Sequence, residues 1–103
     1  MDPIDVPRIV PNERLSEISG NFNYVVRADG KLVVGRSGHT SLAGGSDVRV
    51  AGEVQLHNGK IKWLDNMSGH YQPSGAGIRG TAEDAFNNIG LNATGKFVNR
   101  TLP

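Results

Sequence analysis

The chain has 103 residues, of which 37% are hydrophobic and 20% charged, so it has room for one small domain with its own core. It contains no cysteine, which excludes disulfide bridges, thiol catalysis and cysteine-ligated zinc. No apolar run approaches the ~20 residues of a membrane-spanning helix. Residues 1–20 carry four acidic and two basic side chains, and residues 21–103 carry six and nine. This mild basic bias suits a polyanionic partner.

The first twenty residues differ in composition from the rest. Three of the five prolines, Pro3, Pro7 and Pro11, lie here without a periodic apolar pattern. We therefore predict that residues 1–20 are a lead-in or linker with a short helix over about 12–19. Residues 21–103 are predicted to form the domain itself.

Two hairpins are predicted next. The first pairs residues 23–27 with 31–35 around Asp29-Gly30, and the second pairs 48–57 with 60–66 around Asn58-Gly59. Asp-Gly and Asn-Gly are the strongest sequence signals for two-residue hairpin turns.

The second turn also predicts a register, in which Leu56 lies opposite Ile61 and Val54 opposite Trp63. Alternation then gives one apolar face, made of Val48, Val50, Val54, Leu56, Ile61 and Trp63. The other face is polar and carries Arg49, Glu53, Gln55, His57, Lys60 and Lys62.

The remaining segments complete the predicted fold. The glycine- and hydroxyl-rich residues 36–46 and 68–74 are predicted to be loops. Periodic apolar residues predict a helix over 77–88, ended by Gly90, and a last edge strand over 94–99. The predicted fold class is α+β, with a small antiparallel sheet of four or five strands and one or two helices packed on one face.

The candidate catalytic residues begin with two histidines that follow glycines in loops, His39 and His70. Acid–base cleavage of RNA needs one group that takes the 2′-hydroxyl proton and another that protonates the leaving 5′-oxygen, and histidine suits either role. Glu53 on the polar strand face is a candidate base or orienting group. Structural interpretations stay open: each histidine can be a surface residue, and Glu53 can form a cross-strand ion pair with Lys62.

Further candidates support the same chemistry. Lys62 and Tyr71 are assigned to the catalytic group, and the substrate-binding group comprises Arg36, Thr40, Ser41, Arg49 and Ser74. The histidines lack the spacing of a metal-ligand motif, so neither a metal site nor a cofactor is predicted.

Several segments resemble the C-terminal toxin domains of bacterial polymorphic toxins, of the contact-dependent growth inhibition and Rhs types. The resemblance spans about residues 22–99 and is most specific at Ala51-Gly52-Glu53 and at Ser68-Gly69-His70-Tyr71-Gln72-Pro73. Many such domains are ribonucleases of the barnase–EndoU–colicin–RelE type, in which a helix packs on an antiparallel sheet. His70-Tyr71 and Glu53 then resemble the histidine-tyrosine pair and the strand glutamate of barnase. With His39 the site resembles the two-histidine arrangement of EndoU enzymes.

The resemblance implies a role in interbacterial competition. The domain would be the end of a larger secreted carrier, delivered to the cytoplasm of a target bacterium, with RNA (often tRNA) as its substrate and a cognate immunity protein as its partner. The prediction is therefore a metal-independent ribonuclease toxin. Two alternatives remain: an ADP-ribosyltransferase toxin using Arg27, Thr40-Ser41 and Glu53, or a non-catalytic module whose polar face binds a protein.

Overall fold

The structure is a computed structural model that describes residues 12–45, 47–66 and 77–98. A 3-10 helix, Asn12–Glu17, precedes the strands and helices. These are β1 (Gly20–Arg27), β2 (Leu32–Gly35), α1 (His39–Ala43), β3 (Val48–His57), β4 (Lys60–Asp65), α2 (Ile78–Asn87) and β5 (Phe97–Val98).

The five strands form one sheet in the order β2-β1-β3-β4-β5. β1 to β4 are antiparallel to their neighbours, and β5 lies parallel to β4 at the edge. The predicted α+β class is confirmed, as is the position of the last strand at an edge. The parallel direction of β5 follows from the chain crossing through α2 before it returns to the sheet.

Both predicted hairpin turns are present. At the β3–β4 turn Asn58 has φ 50° and Gly59 φ 81°, as a turn with two left-handed residues requires. Gly59 has a second constraint, since a Cβ there would lie 2.2 Å from the carbonyl oxygen of Ser16. Its amide donates to the carbonyl of Ile18 at 3.0 Å. The turn therefore packs directly on the segment that precedes β1.

The predicted register of the second hairpin is correct only next to its turn. Leu56 lies opposite Ile61, but Gln55 lies opposite Trp63 and Val54 opposite Leu64. Lys62 is therefore an extra residue, a β-bulge in β4. The predicted Val54–Trp63 pair is wrong, and Trp63 lies half-buried on the polar face instead of in the core.

A second bulge changes the start of β3. Val26 pairs with Val50, whereas Arg27 pairs with Val48, so Arg49 is the extra residue. Val48 consequently packs with the residues under α1 and not on the predicted apolar face with Val50.

The two helices cover opposite faces of the sheet. α2 packs on the main core, where the Tyr24 and Phe86 rings meet edge to face at 5.2 Å. Leu15 of the 3-10 helix is fully buried in the same core, so the helical part of the predicted lead-in packs on the sheet. α1 covers a smaller cluster on the other face through Leu42.

Helix α1 lies in a segment that was predicted to be a loop. It has five residues, and its stability comes from contacts with the sheet. Leu42 packs on Val25, Val33 and Ala51. The Arg27 guanidinium donates from Nη2 to the Leu42 carbonyl at 2.7 Å, which places a positive charge at the carboxyl end of the helix.

Candidate functional site

Six side chains form what we call the polar face, on the side of the sheet that carries α1. Val25 and Ala51 mark this side, because both pack under α1. Two-residue alternation and the strand register place the others beside them. The polar face consists of Asn21, Asn23, Glu53, Gln55 and Trp63 from the sheet, with His39 from the first turn of α1.

His39 is held by the backbone of β3. Its Nε2 lies 2.7 Å from the Gly52 carbonyl oxygen, and because that oxygen can only accept, Nε2 must carry the proton. In neutral His39 the lone pair is then on Nδ1. The imidazole is half-buried and is fixed in the tautomer that can accept a proton at Nδ1.

Glu53 directly follows Gly52, the residue whose carbonyl oxygen holds His39. The Gly52 carbonyl and the Glu53 amide belong to one peptide unit, and the amide donates to the Asp65 carboxylate Oδ1 at 2.8 Å. This peptide unit is therefore hydrogen-bonded at both polar groups: its carbonyl oxygen accepts from the His39 imidazole, and its amide donates to the Asp65 carboxylate. The Glu53 side chain is half-buried on the polar face, opposite Asn23 on β1.

Gly52 allows β4 to approach this peptide. A Cβ at position 52 would lie 1.9 Å from the Asp65 carbonyl oxygen and 2.8 Å from its Oδ1, so no other residue fits without moving a strand. The Ala51-Gly52-Glu53 segment therefore has three separate roles. Ala51 packs under α1, Gly52 admits Asp65, and Glu53 faces the polar side.

Asp65 is anchored from the other side of the sheet. The Tyr24 hydroxyl donates to its carbonyl oxygen at 2.6 Å, and burial, with a smaller effect from the Asp65 charge, raises the pKa of Tyr24 far above its ordinary value. Asp65 and Asn66 are themselves buried. Neither residue is among the predicted site residues, because no local pattern specifies the contacts of Asp65 with Tyr24 and Glu53, which are distant in sequence.

Amide side chains organise the rest of the polar face. Gln55 Nε2 donates to Asn21 Oδ1 at 3.0 Å, and Asn23 Nδ2 donates to the Ser37 carbonyl at 3.0 Å. The second bond connects the polar face to the segment that leads into α1. These asparagines and Trp63 were not among the predicted site residues, because β1 reads from sequence as an apolar strand and Trp63 as a core residue.

The structure brings together only part of the predicted site. His39 and Glu53 lie beside the same peptide, and Thr40 and Ser41 follow His39 in α1, exposed and half-buried respectively. Lys62 is exposed at the bulge, and the structure shows no ion pair between Lys62 and Glu53, the structural alternative considered for this glutamate. His70, Tyr71 and Ser74 lie outside the described residues.

The two predicted arginines lie elsewhere. The Arg36 guanidinium stacks 4.5 Å from the centre of the Phe22 ring, and Phe22 belongs to the core under α2. Arg49 Nε donates to the Ala28 carbonyl at 2.9 Å beside the β1–β2 turn. In the folded chain both arginines therefore lie away from Glu53, because strand alternation places Arg36 on the α2 side of the sheet and Arg49 is the extra residue of a β-bulge.

Two further properties concern the described part of the chain only. Residues 12–45, 47–66 and 77–98 contain no group of three acidic, histidine or cysteine side chains that could hold a metal ion. Neither helix in these ranges has the length and hydrophobicity needed to cross a membrane.

Comparison with known proteins places the chain in a described family. Residues 13–78 match the family model described as IQ motif-containing protein middle domain, whereas no curated protein and no solved structure matches the chain. The matched residues include all of β1 to β4 and α1, and thus every residue of the polar face. Because the match covers more than half of the 103 residues, the chain belongs to the family of IQ motif-containing protein middle domains.

Proposed function

We propose that the protein is a metal-independent ribonuclease and that RNA is cut at the polar face. One observation carries the proposal: His39, in a tautomer with its lone pair on Nδ1, is fixed to the peptide from which the half-buried Glu53 side chain projects. A base held rigidly beside a carboxylate, on a surface rich in amide donors, suits acid–base chemistry on a phosphodiester.

In the proposed reaction His39 Nδ1 takes the proton of the ribose 2′-hydroxyl. The 2′-oxygen attacks phosphorus, the bond to the 5′-oxygen breaks, and a general acid protonates that oxygen. The products are a 2′,3′-cyclic phosphate and a 5′-hydroxyl end. The reaction requires no redox step and no metal, and the proton taken at one oxygen is balanced by the proton given to the other.

The other predicted residues take supporting roles in this proposal. Glu53 orients the imidazolium that forms on His39 or stabilises its charge. The Thr40 and Ser41 hydroxyls are close in sequence to His39 and can donate to a phosphate, and Lys62 supplies positive charge. His70, four residues after Asn66 in sequence, is proposed as the general acid, with Tyr71 and Ser74 as substrate contacts.

The biological setting stays a prediction that rests on the sequence resemblance. Interbacterial competition, tRNA as substrate, a secreted carrier and a cognate immunity protein belong together in that prediction. The matching family is described as a middle domain of IQ motif-containing proteins and not as a toxin family. The structural support for ribonuclease activity therefore comes from the geometry of the polar face, and the roles of His70, Tyr71 and Ser74 come from the sequence.

A non-catalytic protein-binding module is the second candidate. Two hydrogen bonds favour it: one joins the side-chain amides of Gln55 and Asn21, and the other joins His39 to the Gly52 carbonyl. They give the polar face a fixed hydrogen-bonding pattern even without a substrate. The ADP-ribosyltransferase alternative receives less support, because Arg27 is bonded to the end of α1 instead of lying with Glu53.

The test is incubation of the purified protein with total bacterial RNA in EDTA, read on a denaturing gel. We expect discrete fragments that carry 2′,3′-cyclic phosphates, and their loss in Glu53→Gln and His70→Ala variants that still fold. Intact RNA with the wild-type protein would refute the proposal. A parallel NAD-consumption assay then separates the transferase from the binding module.

A further inference from the structure

A second surface, which we call the lysine cleft, lies at the end of the sheet where β3 turns into β4. It has a volume of about 390 Å³, within the range of small-ligand sites. Its lining comprises Gly59, Lys60 and Ile61 from the turn and β4, with Gly90, Leu91, Asn92 and Lys96 from the connection between α2 and β5.

The lysine cleft is positively charged and has an apolar floor. Lys60 and Lys96 are exposed, whereas Ile61 and Leu91 are buried in the main core. None of the lining residues is acidic. In the described part of the chain the one ion pair joins Arg79 to Glu83, so neither lysine is neutralised there.

Neighbouring charges extend the cleft toward the polar face. Glu17 follows Ser16, whose backbone contacts Gly59, but it forms no ion pair with either lysine in the described ranges. Lys62 follows two residues after Lys60 on β4, and the Lys96 carbonyl accepts from the Leu64 amide at 3.1 Å. Three lysines therefore lie along the β4–β5 edge of the sheet.

The position of the cleft fits a strand that also reaches His39. Lys60 pairs with His57, and the five residues of β3 from Glu53 to His57 span about 13 Å. Because Ile61 and Leu91 belong to the core on the α2 side, a strand bound in the cleft must pass around the edge of the sheet to reach the polar face. A bound oligonucleotide of several residues spans that length. In such a complex the phosphates would contact Lys60 and Lys96. A ribose or base would pack on the apolar floor formed by Ile61 and Leu91.

We infer that the lysine cleft binds the phosphate backbone of single-stranded RNA and guides it to the polar face. This inference rests on the proposed ribonuclease function and assigns to Lys60 and Lys96 a binding role away from the cleavage chemistry. Backbone contacts of this type are independent of sequence and weaken with salt, because each neutralised phosphate releases a counterion.

The experiment measures binding separately from cleavage. A short fluorescein-labelled oligouridylate with methylated 2′-hydroxyls cannot be cut, and its affinity is measured by anisotropy between about 50 and 200 mM salt. In the Lys60→Gln/Lys96→Gln variant we expect weaker binding, on the order of tenfold at the lowest salt, and a slope of log affinity against log salt smaller by about 1.4. Lys31→Gln is the control, since this exposed lysine lies at the β1–β2 turn, and we expect it to leave the slope unchanged.

Three outcomes overturn the inference. The first is an equal salt slope of the affinity in the double variant and in Lys31→Gln, and the second is no binding of the probe by the wild-type protein. The third is displacement of the RNA by polyglutamate at equal charge, which indicates an acidic protein surface as the partner. Failure of the proposed function is recognised separately. In that case unmodified oligouridylate stays intact, while binding of the methylated probe still depends on Lys60 and Lys96.

Discussion

The Gly52–Glu53 peptide is the structural centre of the candidate site, and Gly52→Ala tests that claim. The added methyl group would lie 1.9 Å from the Asp65 carbonyl oxygen and 2.6 Å from its carbon. These are backbone atoms, so no side-chain rotation can relieve the contact. β3 and β4 must separate at this point, which breaks the bond from the Glu53 amide to Asp65.

The cost can be worked from the affected contacts. Overpacking of a close interior contact costs about 1–3 kcal/mol. The bonds to Asp65 from the Glu53 amide and the Tyr24 hydroxyl contribute about 0.5–1.5 kcal/mol each. Their sum is about 2–6 kcal/mol, a large part of the ~5–15 kcal/mol that stabilises a small domain.

Urea unfolding, followed by the fluorescence of the one tryptophan, Trp63, measures the effect on the polar face itself. With a slope of about 1–3 kcal/mol per molar urea, Gly52→Ala should lower the midpoint by about 1–3 M. The matched control is Gly80→Ala, since no atom lies within 4 Å of a Cβ there and alanine in a helix stabilises by about 0.5–1 kcal/mol. A wild-type midpoint in Gly52→Ala would refute the close approach of Asp65.

Two further perturbations test the supports of the site. Tyr24→Phe removes the donor to the Asp65 carbonyl and should lower the free energy of unfolding by about 1–2 kcal/mol. Burial raises the pKa of Tyr24, so the folded state keeps this phenol protonated while the unfolded state ionises above about pH 10. The stability that Tyr24 contributes should therefore be complete below about pH 10 and fall at higher pH. Thermal melts of Tyr24→Phe should show a smaller loss of stability at alkaline pH than those of the wild-type protein. Identical alkaline profiles of the two proteins would contradict the buried, protonated state of Tyr24. Arg27→Met removes the bond to the Leu42 carbonyl and should speed hydrogen exchange of the Leu42 amide by about tenfold, equivalent to about 1.4 kcal/mol, whereas unchanged exchange would show that Arg27 does not hold α1.

The sequence predicts the parts of the fold that depend on local signals. Asn58-Gly59 specifies a turn because both residues accept positive φ, and the apolar period of Ala82, Ala85 and Phe86 specifies α2. The bulge at Lys62 has no such signal, since one extra residue leaves the composition of β4 unchanged. It nevertheless moves Trp63 from the core to the polar face.

Helix α1 was beyond prediction for a different reason. A single turn that contains Thr40 and Ser41 has little helical stability of its own. It forms because Leu42 is buried on the sheet and Arg27 bonds its carboxyl end. Both interactions join residues that are distant in sequence.

In the candidate site, too, local sequence signals predict some features, and contacts between distant residues determine the others. His39 and Glu53 could be selected from residue type and strand alternation, and the structure places them beside one peptide. Their orientation depends on Asp65, which follows Glu53 by twelve residues in the chain and contacts Gly52 only in the folded sheet. Local patterns cannot specify such a contact, and so the residues that orient the site were missed.

The most direct test of the account is the rate of RNA cleavage by His39→Gln in EDTA. Glutamine can still donate to the Gly52 carbonyl but cannot accept a proton at neutral pH, which separates the chemical role of His39 from its structural role. Lys31→Gln is the control, because this exposed lysine lies at the β1–β2 turn, away from both the polar face and the lysine cleft. We expect both variants to fold, cleavage by His39→Gln to fall by about 10²–10⁴-fold, and cleavage by Lys31→Gln to equal that of the wild-type protein. Cleavage by folded His39→Gln at the wild-type rate would contradict the assignment of His39 as the base.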